Sequence, residues 1–140
     1  MGKQAAKPHI FNTDGCDPKR MIYTMMTSGL FKNCECSVMN KNPKDYDTEH
    51  VFPRDLYLGE PITDKNIGTY GDFIKKTGND PDCILQCICA LDESDAERVT
   101  FMSIGNAGGI NFTTFDESKH DPEEIFARLM AKYKNDAQFE

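Results

Sequence analysis

Five of the six cysteines fall in two tight groups: Cys34 and Cys36 flank Glu35, and Cys83, Cys87 and Cys89 lie in the run CILQCIC. Thiols at spacings of two and four residues can converge on a metal, take part in redox exchange, or fill a core as small hydrophobes. The element that carries them decides between these roles. On a strand, alternation sends Cys83, Leu85, Cys87, Cys89 and Leu91 to one face and Ile84, Gln86, Ile88 and Ala90 to the other. Three thiols interleaved with leucines are expected to be a core face. Tetrahedral zinc needs four ligands and this face offers three, so a fourth would come from Cys34, Cys36 or a histidine. Cys34 and Cys36 share a strand face with Val38, leaving Glu35 to solvent. Two-residue spacing along a strand is poor disulfide geometry. The decisive question is whether the two groups meet on one sheet face. Cys16 stands alone in a loop-like stretch.

His9, His50 and His120 each sit in polar, loop-like sequence. None belongs to an HExxH pair, a Cys-His metal spacing or a Ser-His-Asp order, so each is expected to be an ordinary surface histidine. Asp92–Glu97 carries four acids in six positions. It lacks the alternating ligands, central glycine and distal glutamate of a calcium loop, as does the stretch Asp45, Asp47, Glu49. Both are expected to be solvated. The glycine-rich 105–109 stretch leads into another strand and lacks the Lys and Ser/Thr of a phosphate loop, so a hairpin turn is expected. No catalytic, cofactor-binding or metal-ligating residue is assigned from these patterns, and no cofactor is implied. No stretch carries the signature of a known family.

The elements that must position these residues are marked by Asp-Pro at 17–18, 80–81 and 121–122. Asp caps a helix by accepting its free amide hydrogens, and Pro fits the first helical position because it has none to lose. After Asp121-Pro122, the residues Ile125, Phe126, Leu129, Met130 and Tyr133 build one apolar face, which predicts a helix over about 122–134. Glu124 stands three residues after the cap, as in a capping box. After Asp17-Pro18, Met21, Ile22, Met25 and Met26 share a helical face before Gly29, with a strand over Met21–Met26 as the alternative. After Asp80-Pro81 the pattern changes. CILQCICAL, RVTFMSIG and INFTTF predict a three-stranded meander at about 83–91, 98–104 and 110–115. The first of these is apolar on both faces and belongs in the sheet centre. Residues 30–39 predict another strand, 40–50 a loop, and 70–77 a short helix, while 51–69 give no clear pattern. The expected fold is α+β: a mostly antiparallel sheet with a β-meander (about 83–115) and a C-terminal helix packed on one face. A single domain over 1–140 is expected, with a flexible segment at about 1–8 and a frayed tail at about 135–140.

Composition bounds the function. The 140 residues are 39% hydrophobic with nine Phe and five Tyr, enough for a core without staples. No run approaches the roughly 20 apolar residues of a membrane span, and MGKQAAKPHIF offers no signal-peptide core. A cytoplasmic protein with reduced thiols is therefore expected, one in which the sequon Asn111-Phe112-Thr113 has no meaning. The net charge of −7 argues against direct binding of nucleic acid or an anionic membrane. The charge is polarised: residues 1–44 hold seven Lys/Arg against three Asp/Glu, and residues 45–140 hold nine against twenty. Such a chain can associate with itself or hold a basic partner. The expectation is a small acidic protein acting by binding, as a regulator or assembly component, with a protein partner and without catalysis. The alternatives are a zinc-stabilised module using the cysteine groups, a small-molecule or nucleotide enzyme with dispersed catalytic residues, and an acidic nucleic-acid mimic.

Overall fold

The computed structural model describes residues 8–39, 60–78, 83–104 and 107–139. Strand β1 (His9–Asn12) leads into helix α1 (Pro18–Thr27), then β2 (Lys32–Met39), β3 (Ile62–Thr63), helix α2 (Tyr70–Thr77), the meander β4 (Ile84–Ala90), β5 (Arg98–Ile104) and β6 (Ala107–Thr113), and helix α3 (Pro122–Tyr133). The strands form one sheet in the order β1-β6-β5-β4-β2-β3, and every neighbouring pair is antiparallel. The apolar-on-both-faces strand β4 lies between β5 and β2, in the interior of the sheet.

The capping chemistry holds with one change. The Asp17 carboxylate accepts from Lys19 N at 3.0 Å and Asp121 from Glu123 N at 3.1 Å, so both Asp-Pro pairs open helices. The capping box predicted at Asp121 is not the one formed, because Glu124 turns instead to Arg128 at 2.9 Å, one helical turn on. A capping box does form at α2, between the Thr69 hydroxyl and the Asp72 carboxylate. The Met21–Met26 segment is helical, and Gly29 beyond it takes a φ of 76° that favours glycine. Asp80-Pro81 and the 40–50 segment lie outside the described residues, as do residues 1–7.

One hydrophobic cluster joins the helices to one face of the sheet. Met21, Ile22 and Met25 of α1, Phe73 of α2 and Leu129 of α3 are fully buried against Cys34, Cys36, Leu85, Cys87, Val99, Phe101, Ile110 and Phe112. Burying each such large side chain is worth roughly 1.5–3 kcal/mol, which is what holds helices this short. The opposite face carries Ile10, Ile84, Ile88 and Met102, and none of these joins the cluster.

Two segments add detail. Beyond α3, Asp136–Phe139 forms a 3₁₀ turn. Phe139 lies against Tyr23, Tyr70 and Tyr133, with the Arg20 guanidinium 4.0 Å from its ring centroid, so an apolar ring and a cation–π contact hold the turn. Strand β6 begins at Ala107, within the glycine-rich stretch and before the expected 110. Ile104 pairs with Ala107, which places Gly108 and Gly109 inside β6. Gly108 is closely packed there: a Cβ would sit 3.0 Å from Thr13 Oγ1 and 3.2 Å from the Met102 carbonyl.

Candidate functional site

The two cysteine groups meet. In the β2–β4 ladder Cys36 lies directly opposite Cys87, and all five thiols fall on the helix-covered face. A β-bulge in β2 between Lys32 and Glu35, with Asn33 at a φ of 52°, turns Cys34 toward the far end of β4. The sulfurs of Cys87 and Cys89 are 3.5 Å apart, and Cys34 lies beside both while facing the Met25 carbonyl at 3.9 Å. These contacts set the acidities. Hydrogen bonds from Cys87 and Cys89 pull the Cys34 thiol down to about 5 against its burial. Burial, then the neighbouring Cys83, pushes Cys36 up to about 12. Cys87 is held well above its ordinary range because it donates to Cys34, and Cys89 chiefly because it is buried.

Meeting on one face does not make these thiols a metal site. Three ligand atoms of a zinc centre lie within about 4 Å of one another. These five cysteines occupy core positions with exposures of 4% or less. Cys16, half-buried, packs at the edge of the cluster apart from the others.

The set that does converge is Asp92, Glu97 and His120, whose ligand atoms all lie within 4.8 Å of one another. The loop between β4 and β5 supplies the two acids, and the segment between β6 and α3 supplies the histidine. Leu91 N donates to Glu97 O at 2.9 Å, closing the loop and bringing Asp92 and Glu97 to its mouth. Asp92 Oδ1 accepts from the Ser94 hydroxyl and from Ser94 N at 2.8 Å, which holds its pKa below the ordinary carboxylate value and leaves Oδ2 to face His120 at 4.0 Å. Asp95 takes a φ of 60° and is tied by its carboxylate to Asn33 Nδ2 at 3.0 Å, anchoring the loop to the bulge of β2. On the other side, Thr114 at a φ of 53° ends β6, and Asp116 O accepts from His120 N at 2.9 Å. His120 then precedes the Asp121 cap. A β-branched residue in the left-handed region is a costly conformation, and here it starts the turn that delivers His120.

His120 is therefore not an ordinary surface histidine, and Glu97 is not solvated: their side chains are 19% and 12% exposed. Nothing in the spacing of Asp92, Glu97 and His120 announces this contact, since it depends on two connections meeting at one end of the sheet. The remaining histidines differ. His9 stacks on Phe11 at 4.9 Å and lies 3.8 Å from Glu123 near the surface, while His50 is outside the described residues. A pocket of about 600 Å³ opens elsewhere, between β3 and the end of α2, and is lined by Val38, Ile62, Asn66, Lys75 and Lys76 without any histidine or cysteine. No helix among the described residues is long and apolar enough to cross a membrane.

No family model, no curated protein and no solved structure matches this chain.

Proposed function

We propose that the protein acts by binding, without catalysis, as a small regulator or assembly component, and that it binds through the β1, β6 and β5 part of the sheet face opposite the helices. One observation carries this. All the described helices pack on one side of the sheet, while the two large hydrophobic side chains with the greatest exposure among the described residues, Ile10 at 65% and Met102 at 43%, stand on the other. Across β1, β6 and β5 the same face continues with Asn12, Gly109, Asn111 and Thr100. Its charges among the described strand residues are Lys32, Glu35 and Arg98, toward one end. Depletion of charge around apolar side chains is what the centre of a protein interface has.

The occupant we assign is a second copy of the chain. A protein of net charge −7 repels its own copies except across a face poor in acids, and this face is one. It is also self-complementary. Ile10 and Met102 project, while Gly109 between them has no side chain; a Cβ there would lie 3.9 Å from Ile10 Cγ2. Projections and a notch on one patch suit a two-fold contact, in which each copy offers both. Sedimentation equilibrium over a range of concentrations tests the assignment. A concentration-dependent dimer is expected, weakened at least about tenfold in Met102→Lys, a charge placed at an exposed site that costs the fold within roughly 0.5 kcal/mol. A wild-type monomer at every concentration, or a dimer indifferent to Met102→Lys, would remove it.

A further inference from the structure

We infer that Asp92, Glu97 and His120 form a binding site for a divalent transition-metal ion of the zinc class. The observation that points to a ligand is the state of two atoms. Glu97 Oε2 and His120 Nε2 are both shielded from solvent, lie 2.7 Å apart, and have no hydrogen-bond partner of acceptable geometry, each other included. A buried carboxylate oxygen and a buried imidazole nitrogen without a hydrogen-bond partner are costly. A cation between them satisfies both at once, and Asp92 Oδ2, at 4.0 Å from the same nitrogen, turns toward the same point.

The spacing suits such an ion. Ligands at about 2.1 Å from zinc are about 3.4 Å apart in a tetrahedron, and in an octahedron about 3.0 Å when adjacent and about 4.2 Å when opposite. The observed 2.7 and 4.0 Å lie within a few tenths of an ångström of the adjacent and opposite octahedral values. One imidazole and two carboxylates form a borderline donor set that favours zinc, cobalt or manganese over calcium and magnesium, which prefer all-oxygen shells. Three protein ligands leave further positions for water. The ion would join the Leu91–Glu97 loop to the residue just before the α3 cap.

The test uses the full chain, stripped with chelator under reducing conditions and titrated calorimetrically with zinc, calcium and, for its spectrum, cobalt. One zinc per chain is expected, bound at least about tenfold more tightly than calcium. Glu97→Gln and His120→Gln are each expected to weaken zinc at least about tenfold, since loss of even an outer partner of a ligand costs that much. The cobalt complex should show visible d–d bands without the near-ultraviolet sulfur-to-cobalt band, which distinguishes this site from the cysteines. Zinc should raise the melting temperature of the wild type and leave Glu97→Gln unmoved, provided circular dichroism shows that both variants fold. Absence of stoichiometric zinc binding overturns the site, leaving a Glu97–His120 ion pair. So do binding unchanged in both variants, calcium bound as tightly as zinc, or a cobalt spectrum dominated by sulfur.

Discussion

The sulfurs of Cys87 and Cys89 touch at 3.5 Å on the covered face of β4, two residues apart on one strand. They are the centre of a layer of buried thiols between the sheet and α1. That layer is core by position and unusual only in its chemistry, and the first predictions follow from the difference.

Cys87 fills a fully buried apolar position. Cys87→Ala should lose about 1 kcal/mol of stability, through lost packing. Cys87→Ser keeps the volume but buries a hydroxyl, and should lose more, about 2–3 kcal/mol. Urea unfolding of the two variants measures the order. Serine tolerated better than alanine would mean a polar or hydrated site, against the core assignment.

Thiol labelling under native conditions should report a single fast cysteine. Cys16 is half-buried, while the other five are at most 4% exposed. The low pKa of Cys34, about 5, makes it a thiolate at neutral pH, but access limits reaction more than ionisation does. Mass spectrometry after brief alkylation should find one modified site in the native protein and six after denaturation. Rapid labelling of Cys34 or Cys87 in the folded protein contradicts this.

Stability should rise and then fall across the alkaline range. Cys34, lowered from 9.0 to about 5, is deprotonated when folded and still protonated when unfolded, so between those values stability grows with pH. Above 9.0 the unfolded chain releases protons that Cys36, Cys87 and Cys89 keep, so stability drops by up to about 1.4 kcal/mol per pH unit for each group. Tyr70, raised by burial to about 12, adds to the loss at the highest pH. Urea midpoints in reducing buffer from about pH 7 to 11 measure the profile, and Cys36→Ala combined with Cys89→Ala should flatten its falling limb.

Phe139 should matter more than a terminal residue usually does. It packs on three tyrosines and beneath Arg20, while Gln138 Nε2 donates to the buried Thr24 hydroxyl at 3.1 Å. Phe139→Ala is expected to cost about 1–2 kcal/mol. A change below about 0.5 kcal/mol in urea unfolding would show that the 3₁₀ turn adds nothing to the fold.

Much of the architecture was legible in the residues themselves. Asp17-Pro18 and Asp121-Pro122 open helices because capping is a contact between neighbours in the chain, and CILQCIC forms an interior strand because alternation and apolar content are local too. The short strand β3 escaped sequence reading, because two residues, Ile62 and Thr63, pair through the β2 backbone and carry no period of their own. The Asp136–Phe139 turn escaped it as well, because its order comes from rings contributed by α1, α2 and α3.

The sequence by itself determined the α+β class, the meander, the helix starts and the inward face of the cysteines. All of these follow from spacings of one to four residues, where backbone geometry alone decides which side chains share a face. Only the tertiary structure decided that Cys36 lies opposite Cys87, that the described helices all lie on one side of the sheet, and that Asp92, Glu97 and His120 meet. Those contacts join residues far apart in the chain. They depend on strand order, on a bulge at Asn33 and on left-handed turns at Asp95 and Thr114, none of which has a period that a sequence displays.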